Sequence, residues 1–128
     1  LGTYIKRSAN LYFLSSEYQW LPQQELRLTV DEAVRALTAC GTECGVIYRT
    51  TEPMRASEVV RLFDLLEIVA ETTVDDLRSL FISVSDSAMD LSVECAADLS
   101  AIASPEVTVR QEDGLWLIRT GIRRREDA

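Results

Sequence analysis

Two stretches of this chain alternate apolar and polar residues, and each is folded back on itself by a turn signal. LFISVSD (80–86) and MDLSVEC (89–95) meet around Asp86-Ser87-Ala88, and VTVRQ (107–111) and LWLIRT (115–120) meet around Glu112-Asp113-Gly114. A period of two places every second side chain on one face of a strand, so each stretch reads as a β-hairpin with one buried face. Leu80, Ile82 and Val84 on one strand, and Met89, Leu91, Val93 and Cys95 on the next, form that face. Asp113-Gly114 is a strong signal for a tight hairpin turn. A sheet that is apolar on one side only has to be covered, and the rest of the chain must supply the cover.

Two helices answer that need. Leu26, Val30, Ala33, Val34 and Leu37 fall at i, i+4, i+7, i+8 and i+11, which predicts a helix from Gln23 to Cys40, entered after Pro22 and stopped by Gly41. A second helix, Ala56 to Glu71 and entered through Ser57, carries Val59, Leu62, Phe63, Leu66, Val69 and Ala70 on one face. Val60, Leu65 and Ile68 widen that stripe, so a sheet and a neighbouring helix are both expected to cover it. CGVIYRT (44–50), rich in β-branched and aromatic residues, adds a fifth strand that Glu52-Pro53 ends. Thr73 to Ser79 reads as a turn or short helix, with Thr73 and Asp76 at capping-box spacing, and Ala96 to Ala103 as a short helical segment. Residues 3–16 read as the end of a further helix, broken between Ser15 and Pro22. The order is α–α–β–α–β–β–(α)–β–β. The fold class that follows is α/β, a two-layer sandwich of helices on a mixed, largely antiparallel five-stranded sheet.

With 128 residues and 47% apolar content the chain suits one domain with its own core. No apolar run approaches the roughly 18 residues that span a bilayer. The chain opens on Leu1, not Met, and is read as a fragment of something longer. Net charge is −8, and residues 65–98 hold eight acids against Arg78 alone. Such a surface opposes nucleic acid, whose phosphates need a basic footprint. Arg123-Arg124-Arg125 is offset by Glu126 and Asp127 at the chain end.

Cys40, Cys44 and Cys95 are an odd set without a dense framework, which suits a reducing compartment and a packing role. A zinc site wants four ligands and these are three, with no histidine to complete them. The absence of histidine also removes Ser-His-Asp and Cys-His catalysis and any phosphorelay through a histidine of this chain. Trp20 and Trp116 are expected to pack.

This order of elements resembles the C-terminal part of sensor histidine kinases, whose ATP-binding domain belongs to the GHKL superfamily. YIKRSANLYFLSS (4–16) is similar to the end of a dimerisation helix, with a basic pair and an Asn ahead of apolar residues. RLFDLLEIVAE (61–71), followed by LFISVSDSAMDLSVEC (80–95), is similar to the helix that carries the nucleotide-binding Asn and the hairpin after it. The hairpin 107–120 is similar to the family's last two strands. The resemblance divides the chain into a dimerisation-type helix end at 1–16 and a kinase ATPase-like domain at 23–122.

An active domain of this kind has an acid on its helix, an Asn four residues later that holds Mg²⁺, an Asp-x-Gly-x-Gly turn that reads adenine, and a glycine-rich lid. In the best register Asp64 stands at the acid and Ile68 at the Asn, where a hydrocarbon side chain cannot ligate magnesium. Cys95-Ala96-Ala97-Asp98-Leu99 stands at the adenine turn, with neither its Asp nor its glycines. Other registers place Glu67 and Glu71, or Glu32 and Ala36, at the two helix positions, and no glycine lies between 46 and 113. About ten residues remain before the last hairpin, too few for a lid.

The reading is therefore a non-catalytic signalling or interaction module derived from such a domain, with no cofactor and no metal. Asp64, Glu67 and Glu71, at i, i+3 and i+7, read first as one solvated stripe on an otherwise buried helix, and with Ile68 and Cys95 they would line a vestigial cleft. The rival is an ATP-binding histidine kinase or anti-sigma kinase with divergent motifs. The resemblance implies protein partners (an upstream sensor domain and a response partner), a homodimer seamed by Tyr4, Leu11 and Leu14, and a cytoplasmic location with no direct membrane contact from this fragment.

Overall fold

In a computed structural model, residues 20–73 and 76–121 are described. Tyr4, Leu11 and Leu14 lie outside them. A short strand β1 (Trp20–Leu21) leads into helix α1 (Gln23–Ala39), followed by β2 (Glu43–Tyr48), a short β3 (Met54–Arg55) and helix α2 (Ala56–Thr72). Strands β4 (Ser79–Val84) and β5 (Ala88–Glu94), a single 3₁₀ turn at Ser100–Ile102, and strands β6 (Val107–Glu112) and β7 (Leu115–Gly121) complete the order. Five strands form one sheet in the order β2-β4-β5-β7-β6. β2 runs parallel to β4, and every other neighbouring pair is antiparallel.

The register explains the core. Val46, Ile82, Leu91, Ile118 and Val109 line up across the sheet, flanked by the row Cys44, Leu80, Val93 and Trp116 and by the row Tyr48, Val84, Met89, Thr120 and Val107. Ile82 and Val93 are fully buried, as the alternation requires. Both helices lie on this face. α1 contributes Leu26, Val30 and Ala33, and α2 contributes Val59, Leu62, Phe63, Leu66 and Val69. Removing each of these side chains other than that of Ala33 from water stabilises the fold by about 1.5–3 kcal/mol.

Ends of elements obey local chemistry. Gly41 takes φ +94° just past α1, the left-handed conformation that stops a helix, and Cys40 and Gly41 donate to the Leu37 and Thr38 carbonyls. Asp113 (φ 52°) and Gly114 (φ 80°) are both left-handed, which fits the two-residue turn between β6 and β7. Between β4 and β5, Ser85 Oγ accepts the Ala88 amide at 3.2 Å and fixes the turn without any positive φ.

Four expectations need correction. α2 starts at Ala56 behind Arg55, not through Ser57. Ile68 does not widen the buried stripe; it is 44% exposed. Residues 96–103 do not form a helix beyond the 3₁₀ turn, because Asp98 and Leu99 are drawn into other contacts. Trp20–Leu21, inside the stretch read as a break, pairs antiparallel with Met54–Arg55 as a two-stranded ribbon with Arg55 stacked 4.8 Å above the Trp20 ring.

Candidate functional site

The α2 residues singled out in the sequence lie together on one helix. Asp64 and Glu67 are half-buried, Glu71 is exposed, and Ile68 stands exposed between them. Burial pushes the Glu67 carboxyl above the ordinary glutamate range, and the charges of Asp64 and Glu71 push it further. Such crowding marks three carboxylates at one stripe. Asp64 makes a polar contact of its own. Ile68 adds no donor, and its carbonyl is taken by the Thr72 hydroxyl at 2.7 Å. No group of three His, Cys, Asp or Glu among the described residues has the geometry to hold a metal ion.

Cys95 packs against the same buried cluster that α2 helps to form. It follows β5, where its thiol donates to the Ala97 carbonyl at 3.5 Å. Burial raises its pKa, the Asp76 charge raises it further, and the bond to Ala97 only partly opposes them. The sulfur is held as a thiol, the unreactive form. Gly41, Glu43, Asp76, Arg78, Glu94 and Ala96 line an open cleft of about 540 Å³ at one end of the sheet, and Cys95 is not part of its lining. Cys44 is also half-buried and raised by burial, in part opposed by Thr38. Cys40 corrects the packing expectation, since it is exposed at the end of α1.

The resemblance drawn from the sequence expects a glycine turn and a lid at 95–106. Here that segment is short and tied down. Asp98 Oδ1 accepts the Ser100 amide at 2.9 Å, and hydrogen bonding from the Ser100 hydroxyl first, and from this amide second, holds the Asp98 carboxyl below its ordinary range. Leu99 is fully buried in the core, and Ile102 packs against the same cluster. Ser104 and Val107 close the segment with reciprocal backbone bonds of 3.0 and 3.2 Å. Leu99 thus fills core volume at a position where the resemblance wants a glycine that opens backbone to a ligand.

Two features escaped the sequence reading. At the α1–β2 contact, Arg27 stacks 4.5 Å from the Tyr48 ring centre. Burial pushes the Tyr48 phenol up to about 12; the Asp31 charge adds to this, and Arg27 opposes it. The second is the sheet's other face. Gly45, Phe81, Ser92, Leu117 and Arg110 form one row across it, and Ile47, Ser83, Asp90, Arg119 and Thr108 the next. Arg119 reaches both Asp90 oxygens, at 2.7 and 3.3 Å, beside a shallow depression of about 390 Å³ that also touches Ser92, Thr108 and Leu117. Phe81 lies against Gly45, whose missing Cβ would come within 2.9 Å of the ring, and Phe81 remains 42% exposed. The signal for Phe81 was present, since alternation alone sets it opposite Leu80 and Ile82.

No protein-family model matches the chain, and no curated protein matches it. No helix among the described residues is long and apolar enough to cross a membrane.

Proposed function

We propose that this chain is a non-catalytic signalling or interaction module, a degenerate relative of the ATP-binding domain of sensor histidine kinases. The architecture of two helices on one face of a mixed five-stranded sheet is compatible with that ancestry. One observation carries the loss of catalysis: the segment between β5 and β6 is anchored by buried Leu99 and closed by the Asp98 and Ser104 contacts. Phosphoryl transfer on such a fold rests on metal, base recognition and phosphate cradle. A hydrocarbon at the magnesium position, no backbone opened by glycine, and a clamp in place of a lid remove all three together. A missing donor costs a few kcal/mol at most and can be compensated, whereas the combined loss cannot.

In this reading the module works in the cytoplasm and passes conformational state between protein partners through the 3–16 segment. Its charge of −8 disfavours nucleic acid as a partner. The test is titration with Mg-ATP and with an ADP analogue, followed by calorimetry. The expected result is no binding. A dissociation constant tighter than about 100 μM, or ~5.5 kcal/mol, overturns the reading and favours the kinase with divergent motifs. Ile68→Asn alone is expected to leave binding absent, because the anchored segment remains.

A further inference from the structure

The five-stranded sheet ends in two edges that differ in chemistry. β6 carries exposed Arg110 and Glu112, which pair at 3.8 Å, and its first residue is bridged by Ser104. Charges and short coverings of this kind keep an edge from recruiting a further strand. β2 has no such charge pair along its middle. Its sequence ECGVIY holds no proline, lysine or arginine, its single charge is the terminal Glu43, and none of its six residues is buried.

The backbone of β2 is prepared for a partner. The Glu43 amide donates to the Arg78 carbonyl at 3.0 Å and the Arg49 amide to the Val84 carbonyl at 2.7 Å, so odd-numbered residues turn their peptide groups toward β4. Alternation then turns the N–H and C=O groups of Cys44, Val46 and Tyr48 outward, where no described strand stands. We propose that β2 pairs antiparallel with β2 of a second copy of this chain, about a two-fold axis through Val46, joining two sheets into one of ten strands.

The register follows from the side chains. Outward-turned residues must face one another, and an axis at Val46 sets Val46 against the partner's Val46 and Cys44 against the partner's Tyr48, using all three residues of each strand. Between these pairs Gly45 meets the partner's Ile47, and Glu43 meets the partner's Arg49. Pairs at such positions bring side chains closest. The absent side chain of Gly45 leaves room for Ile47, which is 38% exposed and would land beside the Phe81 ring. Glu43 and Arg49 are both exposed, and neither has an ion pair among the described residues. The symmetry makes that complementary contact twice. Sliding the axis to Gly45 puts Glu43 against the partner's Ile47, and sliding it to Ile47 puts Gly45 against the partner's Arg49, so only the axis at Val46 joins opposite charges. This interface is independent of the kinase ancestry and of the 3–16 segment.

Sedimentation equilibrium of the whole chain over a range of concentrations tests it. The expected result is a monomer–dimer equilibrium with a dissociation constant tighter than about 1 mM. Glu43→Arg and Arg49→Glu are each expected to weaken it about tenfold, since each sets like charges face to face at two places. The double variant Glu43→Arg/Arg49→Glu restores the charge match and is expected to return the constant to its original value. Val46→Pro removes an outward N–H together with the half-buried valine side chain and is expected to abolish the dimer. The charge variants keep the proposal testable if that proline unfolds the strand. A wild-type chain that stays monomeric, charge reversals without effect, a double variant that fails to recover, or a dimer sensitive to Leu11→Asp but not to β2 substitutions each overturns it.

Discussion

Replacing Leu99 by alanine measures how firmly the β5–β6 segment is held. Leu99 is fully buried, in a cluster that also receives Ile102 and Ala97 from the same segment. Leucine-to-alanine changes at such sites cost about 2–5 kcal/mol, the transfer term plus whatever cavity remains. Because Leu99 sits on a short connection that can partly relax, the lower half of that range applies, roughly 2–3 kcal/mol. A domain of this size is stable by about 5–15 kcal/mol in total, so the loss is large but survivable. Urea unfolding followed by circular dichroism should show a lower midpoint at unchanged slope. Ala101→Gly, on an exposed residue of the neighbouring 3₁₀ turn, serves as the control and should shift stability by about 0.5 kcal/mol or less. A Leu99→Ala loss no greater than the control would refute the anchoring argument and reopen the segment as a mobile loop.

Three further outcomes follow from the geometry. Gly45→Val should destabilise the fold by about 1–3 kcal/mol through the Phe81 ring, and Phe81→Ala in the same chain should recover part of it in a double-mutant cycle of chemical denaturation. The Glu67 carboxyl binds its proton more tightly folded than unfolded, so its contribution to stability is present below pH 4.5 and is lost as pH rises through the raised value. Thermal melts of Glu67→Gln should therefore exceed wild type at neutral pH and match it in acid; an equal gain at both would place the effect elsewhere. The Tyr48 phenol, at about 12 in the folded chain against 10.0 for the free group, protects stability below pH 10 and loses that protection as pH rises through 12. Ultraviolet titration should show one tyrosine ionising late, and Asp31→Asn should bring it forward.

Much of the layer arrangement was legible because the patterns are long and periodic. The alternation over 80–95 and 107–120 fixed which residues turn inward, and Asp113-Gly114 fixed a turn. α1 and α2 were readable from apolar spacing to within a residue or two. The short ribbon of β1 and β3 was not, since two-residue strands have no period to detect and Arg55 joins Trp20 across 35 positions of sequence. Ile68 was misplaced for a related reason. It is apolar at a position adjoining the buried stripe, and only the tilt of the helix on the sheet decides which border residue stays wet. The acids of the candidate cleft were legible as one stripe, whereas the surroundings of Cys95 depend on Asp76 and the bond to Ala97, which the strand pattern does not show. The chemistry at Tyr48 requires knowing that α1 crosses β2.

The parallel pairing of β2 with β4 also bears on how the chain acquires its shape in time. Glu43 and Ser79 are direct neighbours although they stand 36 positions apart, whereas the β4–β5 and β6–β7 partners are joined by turns of a few residues. Closing the longer loop costs more entropy before any contact returns it. The hairpins are therefore expected to form in the folding nucleus and β2 to dock after the rate-limiting step. Mildly destabilising changes in β2, such as Val46→Ala, should accelerate unfolding and leave refolding nearly untouched, while Ile82→Val should slow refolding. Until β2 docks, the β4 edge is open, and it is during that interval that a dense solution of this chain would be most prone to mispair.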